Sequence, residues 1–206
     1  MHALSPEQLE EKKSAMKAIR DEIVALSSSP LFVYRTENNY FPVIGEGSHT
    51  ASIMFIGEAP GENEAKTGRP FCGTAGKILD EMLATIELPR DDVYITNIVK
   101  DRPPGNRDPE PEEIALYGPY LDRQIEIIKP QVIATLGRFS MAYIMHKYGL
   151  GTDLRSISKM HGQLVTAKTT WGEVQILPLY HPAATIYNRT TREDLKNDFQ
   201  ILKQYL

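Results

Sequence analysis

Ile53-Met54-Phe55-Ile56-Gly57-Glu58-Ala59-Pro60-Gly61 is the stretch on which the fold class turns. Its first four residues are apolar without alternation. That is the pattern of a strand buried on both faces, and such strands belong to parallel sheets covered by helices. The run breaks into a Gly/Pro turn presenting one ionisable side chain, Glu58. A second segment is built the same way: Val174-Gln175-Ile176-Leu177-Pro178-Leu179-Tyr180 runs into His181-Pro182-Ala183-Ala184. Open α/β sheets bind ligands in the crevice beyond the carboxyl ends of their strands. Glu58 and His181 are therefore a candidate catalytic pair on one rim.

Outward from these turns, strand and helix patterns alternate. Ser5-Pro6-Glu7-Gln8 reads as a capped helix start, and Leu9, Met16, Ile19, Ile23 and Leu26 continue at helical spacing to about residue 27. Residues 30–50 show no period and read as a packed loop. Residues 57–73 read as a long Gly/Pro-rich loop, a length that marks function in a compact domain. Thr74 is expected to cap a helix with Ile78, Leu79, Met82, Leu83 and Ile86 on one face. Then come a strand at 93–96, a proline-rich functional loop at 101–111, a helix at 112–128, a buried strand at 131–136, and a helix at 137–148 closed by Gly149. The last strands fall at 163–166 and 173–179 around a Trp171-Gly172 turn, and a final helix starts near Thr191, with Thr191 and Asp194 as its capping pair. This alternation predicts an α/β fold: a three-layer α/β/α sandwich around a mostly parallel central sheet. Residues 1–206 read as one domain, helix 5–27 included.

Composition narrows the function. At 41% hydrophobic and 24% charged the chain reads as an ordinary globular protein. No stretch approaches the roughly 18–20 apolar residues of a membrane span, and Met1-His2-Ala3-Leu4-Ser5 lacks the features of a secretory signal. A monomer in a bacterial or archaeal cytoplasm is expected, with no membrane partner. The one cysteine, Cys72, excludes a disulfide framework and any multi-cysteine zinc or iron–sulfur site within one chain. A formal charge of -4 argues against a non-specific DNA coater but leaves room for a local basic groove.

Generic motifs fail. Gly73-Thr74-Ala75-Gly76-Lys77 has part of a phosphate loop, but Phe71 stands where its first glycine belongs and Ile78 where the magnesium-binding hydroxyl belongs. There is no His-Glu-x-x-His, no Pro-Cys-x-x-Cys and no nucleophile elbow. Cys72 beside Phe71 reads as a small apolar filler. What remains is a series. It runs Gly57-Glu58-Ala59-Pro60-Gly61-Glu62-Asn63-Glu64, Gly68-Arg69-Pro70-Phe71-Cys72-Gly73-Thr74-Ala75-Gly76, and Ile95-Thr96-Asn97-Ile98-Val99-Lys100. Arg102-Pro103-Pro104, Pro119-Tyr120-Leu121, Ala134-Thr135-Leu136-Gly137 and His181-Pro182-Ala183-Ala184 complete it. In order and spacing, from about residue 26 onward, this series resembles the uracil-DNA glycosylase superfamily, and within it family four.

The resemblance implies hydrolysis of the bond between uracil and deoxyribose in DNA, with base flipping, no metal, no cofactor and an abasic product. His181 would contact the uracil O2, where negative charge develops. Asn97 would read the N3 and O4 edge, Phe71 would stack on the base, and Glu64 would guard the C5 edge against a methyl group. Glu58 would place water or stabilise the sugar cation. Gly57, Ala59 and Gly61 would lend backbone contacts to uracil. Lys100, Arg102, Arg107, Arg138, Ser140 and Lys159 are candidates for the DNA backbone, and Tyr187 or Arg189 for a wedge filling the gap left by the flipped base. The alternative is a non-hydrolytic or covalent binder of damaged DNA. A covalent relative carries a basic insert ending in histidine after the asparagine motif. Residues 101–111 contain no histidine, which favours turnover.

One departure stands out. Family four holds a four-iron cluster through four cysteines, and the flanking motifs put those positions at Leu26, Ser29, Asp101 and Tyr117. None is a thiolate, so the chain resembles a cluster-free relative, and the loss bears on the 101–117 loop rather than on the chemistry. Asp101, with Arg102 and Arg107 nearby, is a candidate substitute pin.

Overall fold

The computed structural model describes residues 5–206. Strands β1 (Glu46–Gly47), β2 (Ile53–Gly57), β3 (Tyr94–Asn97), β4 (Val132–Leu136), β5 (Val165–Thr169) and β6 (Gly172–Leu179) form one sheet in the order β1-β3-β2-β4-β6-β5. The central pairs β3–β2, β2–β4 and β4–β6 are parallel, and the two edge strands run antiparallel. The helices are α1 (Pro6–Val24), α2 (Phe32–Glu37), α3 (Glu62–Thr67), α4 (Thr74–Thr85), α5 (Pro111–Ile128), α6 (Arg138–Lys147), α7 (Ile157–Met160) and α8 (Arg189–Phe199).

The period of two in a strand divides β2 between two cores. Met54 and Ile56 pack with Met16, Ile19 and Ile23 of α1, Leu121 and Ile125 of α5, and Ile144 and Met145 of α6. Ile53 and Phe55 point the other way, into Leu79, Met82 and Leu83 of α4 and Leu195 and Phe199 of α8. Phe55 and Phe199 stack at 5.6 Å between ring centroids. All five residues of β2 are buried, as the unbroken apolar run requires. The expected three-layer α/β/α sandwich is the observed one.

Local signals fared unevenly. The Ser5 capping box with Gln8 is present, and α1 ends at Val24, a little short of residue 27. The stretch read as a loop at 30–50 contains α2 and the short edge strand β1, and the 57–73 loop contains α3. Six-residue helices lack the length for a visible apolar period, and both are held by tertiary packing. The cap of α4 is Gly73 rather than Thr74. Asn188, not Thr191, caps α8: its side chain accepts from the Thr191 amide, and the helix begins at Arg189.

The turn before α4 is tightly seated. Phe71 has φ 48°, a left-handed conformation costly for a bulky residue. Gly76 lies against its carbonyl: a Cβ there would stand 1.8 Å from the Phe71 oxygen. Gly76→Ala should therefore push α4 off the turn and destabilise the protein by about 1–3 kcal/mol, the usual overpacking range. A thermal melt should show a loss of several degrees, and an unchanged midpoint would refute the contact.

Candidate active site

The carboxyl ends of β3, β2 and β6 open into a cavity of about 340 Å³. It is lined by Glu58, Ala59, Pro60, Gly61, Glu64, Phe71, Ala75, Asn97, Pro103, Asn106, Arg107, His181 and Ala183. That volume lies near the small end for small-molecule sites, about 300–1,000 Å³, and the lining is mostly apolar, as is usual.

The floor is built by crowding. Gly57 ends β2 in register with Asn97 at the end of β3. A Cβ on Gly57 would stand 2.3 Å from the Asn97 Oδ1 and 2.7 Å from the Phe71 ring. Glycine is required so that a polar amide and an aromatic ring can share the end of one strand. Pairing continues past the strands, with the Ile98 amide donating to Gly57 O at 3.1 Å and the Val99 amide to Glu58 O at 3.0 Å. Asn97 is buried, and its Oδ1 has no partner. An unpaired buried acceptor costs on the order of 1–3 kcal/mol, so an acceptor held facing a cavity is poised for a ligand donor.

His181 closes the opposite wall. The Gly137 amide donates to Leu179 O at 2.9 Å, tying the end of β4 to that of β6, and Gly137, at φ 97°, would bring a Cβ within 3.1 Å of the His181 Cβ. The His181 Nδ1 accepts from the Ala183 amide at 3.2 Å. An acceptor nitrogen carries no proton, so the neutral ring bears its hydrogen on Nε2. Burial pushes the imidazole down to about 4, against the opposing pull of Glu64. The ring lies 5.7 Å from Phe71 at 34°.

Glu58 sits half-buried between these walls. Burial first, and the charge of Asp108 second, push its carboxyl up to about 7, while Arg138 pulls it down. Arg138 is paired with Asp108 at the rim. Glu64 lines the cavity through a pinned carboxylate: its Oε1 accepts from the amides of Cys72 at 2.9 Å and Gly73 at 2.8 Å. The two amides just before α4 are thus occupied by a carboxylate of the chain itself. The Cys72 sulfur lies 3.3 Å from the Thr67 hydroxyl, and Cys72 does not line the cavity.

Among the residues expected at the DNA backbone, three face inward. Lys100 is fully buried, and its Nζ donates to Thr96 Oγ1 at 2.7 Å, Asn97 O at 2.7 Å and Gln124 Oε1 at 2.6 Å. Burial, with no compensating carboxylate, pushes this amine well down. It is an internal peg beneath Asn97, not a phosphate contact. Arg102, nearly buried, donates to Tyr40 Oη at 2.8 Å and Asn106 Oδ1 at 2.8 Å. Ser140 is buried and bonded to Gly137 O. Arg107 lines the cavity, but Glu113 holds its guanidinium through two bonds at 2.9 and 2.6 Å. Arg138, Lys159, Tyr187 and Arg189 are exposed, Tyr187 at 99%. Pro60, Ala75, Pro103, Asn106 and Ala183 also line the cavity without having been singled out as site residues. The Pro103-Pro104-Gly105-Asn106 segment announces a turn, but not that the turn folds over a cavity.

Residues 44–204 match the family model for the uracil DNA glycosylase superfamily. The chain belongs to the uracil-DNA glycosylase superfamily. It is 47% identical over 191 residues to a type-4 uracil-DNA glycosylase of Sulfurisphaera tokodaii, covering 92% of this chain and 84% of that protein. It is 44% identical over 182 residues to one of Archaeoglobus fulgidus, covering 87% and 89%. A third, of Thermotoga maritima, is 37% identical over 198 residues, covering 95% and 96%. Glu58, Ala59, Gly61, Glu64, Phe71, Asn97 and His181 all line one cavity, with Gly57 beneath Asn97 and Phe71, whereas the 119–121 and 134–137 motifs lie outside its lining.

The imidazole geometry yields a direct check. With its proton on Nε2 and its pKa near 4, His181 should stay neutral from about pH 8 down to about pH 5. Nitrogen chemical shifts of the labelled ring should report the Nε2–H tautomer throughout. A ring that titrates near 6.5 would contradict this geometry.

Proposed function

We propose that this chain is a uracil-DNA glycosylase that flips uracil out of DNA and hydrolyses its N-glycosidic bond, leaving an abasic site. The observation that carries the reading is the pairing of an unpartnered Asn97 Oδ1 with a neutral His181 across one small cavity. Uracil presents an N3–H donor flanked by carbonyl acceptors. Asn97 would accept from N3–H and donate to O4 through its amide nitrogen, an edge that cytosine cannot match. The His181 Nε2–H would donate to O2, where negative charge accumulates as the bond breaks. A preorganised donor of this kind is worth about 3–4 kcal/mol in a water-poor site. Phe71, held beside His181, supports stacking on the base. Glu64 would face its C5 edge, where the methyl of thymine would lie.

The leaving base needs no covalent assistance. As the bond lengthens, electrons move onto the uracil ring and the sugar becomes cation-like. Water then adds to the sugar carbon and gives up a proton. Glu58 would orient that water and take the proton; its half-buried carboxyl, raised to about 7, supports that role. The exposed Arg138, Lys159 and Arg189 would meet phosphates, and Tyr187 would fill the gap left in the stack. Tight binding without product release is the outcome expected of a non-hydrolytic binder. The protein would act as a monomer in the cytoplasm. No described helix is long and apolar enough to cross a membrane.

Release of free uracil from a single-uracil oligonucleotide in EDTA tests the reading, and Asn97→Ala should abolish it. Single-turnover rates of His181→Ala should fall by about 10²–10³-fold with DNA binding near that of the parent protein; an unchanged rate would remove His181 from the mechanism.

The pH profile has a definite sign. Glu58 works as the carboxylate, and its pKa is raised to about 7, so the rate should climb with pH through about 7, level above it, and fall about tenfold per unit well below. Glu58→Gln should be slow and flat with pH. Tyr187→Ala should weaken binding to uracil-containing duplex roughly tenfold, within the about 1–3 kcal/mol of aromatic stacking on a base. Unchanged affinity would make Tyr187 a bystander.

A further inference from the structure

Away from the cavity, four buried polar side chains form one directional chain of hydrogen bonds. The Leu31 amide donates to Ser29 Oγ at 3.1 Å, and Ser29 Oγ lies 2.7 Å from Tyr117 Oη. Tyr117 donates to Asp101 Oδ2 at 2.6 Å. Arg35 Nη1 approaches both Asp101 oxygens, at 3.2 and 3.1 Å. The same guanidinium also donates to Ile23 O at 3.2 Å and Val24 O at 2.8 Å, satisfying carbonyls at the end of α1. None of the four residues is more than 5% exposed.

The chain joins distant segments: the end of α1, the turn at Ser29, helix α2, the middle of α5, and Asp101. Asp101 stands four residues after Asn97 and one before Arg102, at the root of the segment that carries Pro103, Asn106 and Arg107 to the cavity. Burial pushes the Asp101 carboxyl up, while Tyr117 and Arg35 pull it down. Removing either partner leaves a buried polar group short of a bond, the costly kind of loss.

Three of these residues stand where the resembled family places cluster cysteines, and the fourth such position is Leu26. The donor set does not fit an iron–sulfur cluster, which is held by thiolates. It consists of a hydrocarbon, two hydroxyls and a carboxylate, and the three polar groups are consumed by one another. The pin foreseen at Asp101 exists, but its partners differ from those foreseen. Arg102 and Arg107 are engaged elsewhere, and Arg35, Tyr117 and Ser29 take their place.

We propose that Tyr117, Asp101 and Arg35 are positioning residues: a metal-free staple that holds the 98–107 wall against the cavity in the place of a cluster. The proposal rests on the uracil-excision reading only for its kinetic test. The full chain carries two mild variants, Tyr117→Phe, which keeps the ring and removes the central hydroxyl, and Ser29→Ala, which removes the outer link. In hydrogen–deuterium exchange, Tyr117→Phe should accelerate exchange in peptides spanning 98–107 by about tenfold, with a smaller effect for Ser29→Ala and none in β4 or β6. Unchanged exchange at 98–107 in Tyr117→Phe, or a uniform rise across the sheet, overturns the positioning role. On uracil-containing DNA, Tyr117→Phe should raise KM about tenfold and leave kcat within about twofold. A fall in kcat at constant KM overturns it too. Iron and sulfide analysis of protein purified without oxygen should find no stoichiometric cluster, and one cluster per chain would overturn the substitution. If the unaltered protein releases no uracil, the functional reading fails, while exchange and iron content still decide this proposal.

Discussion

The site depends on one steric constraint at the end of β2. Gly57, the Asn97 amide and the Phe71 ring occupy space that would otherwise hold a side chain. Because β2 and β3 are parallel and in register there, their ends bring Gly57 and Asn97 level. The absence of a Cβ turns that adjacency into a pocket floor. The strained turn at Phe71 follows from the same demand. A bulky residue with φ 48° persists only where its surroundings over-determine it. Here Gly76 beneath its carbonyl and the Glu64 carboxylate on the next two amides do so.

Burial then sets the charge state of the cavity. It raises a carboxyl and lowers an imidazole, so Glu58 and His181 move in opposite directions for the same reason. The result is a neutral donor and a carboxyl raised to about 7, both lining one mostly apolar cavity. A cationic histidine would also hold an anion, but it would pay a desolvation cost before any substrate arrived. A neutral ring oriented by the Ala183 amide offers its Nε2–H without that cost.

Lys100-Asp101-Arg102 shows how far a side chain's usual environment misleads. Lys100 and Arg102 read as phosphate contacts and Asp101 as a pin near Arg102 and Arg107. All three are inside, each with different partners: Lys100 on Gln124 and the Asn97 carbonyl, Asp101 on Arg35 and Tyr117, Arg102 on Tyr34 and Tyr40. The segment following Asn97 is anchored by apolar packing of Ile98 and Val99 and, beyond them, by these polar bonds.

The unbroken apolar run at 53–56, its counterpart at 174–179 and the strand–helix alternation were sufficient to specify a parallel sheet with helices on both faces, because period and burial are written residue by residue. The turns carrying Glu58 and His181 were legible for the same reason, since a ligand crevice follows from strand direction. The short helices α2 and α3 were not legible, because six residues are too few for a period and tertiary contacts hold them. The partners of Asp101, Lys100 and Arg102 were not legible either. Their bonds reach to Arg35, Gln124 and Tyr40 across 66, 24 and 62 positions of chain. Only the folded structure decides which buried charge meets which partner, since that choice is made by proximity in space and by the penalty on any polar group left unpaired.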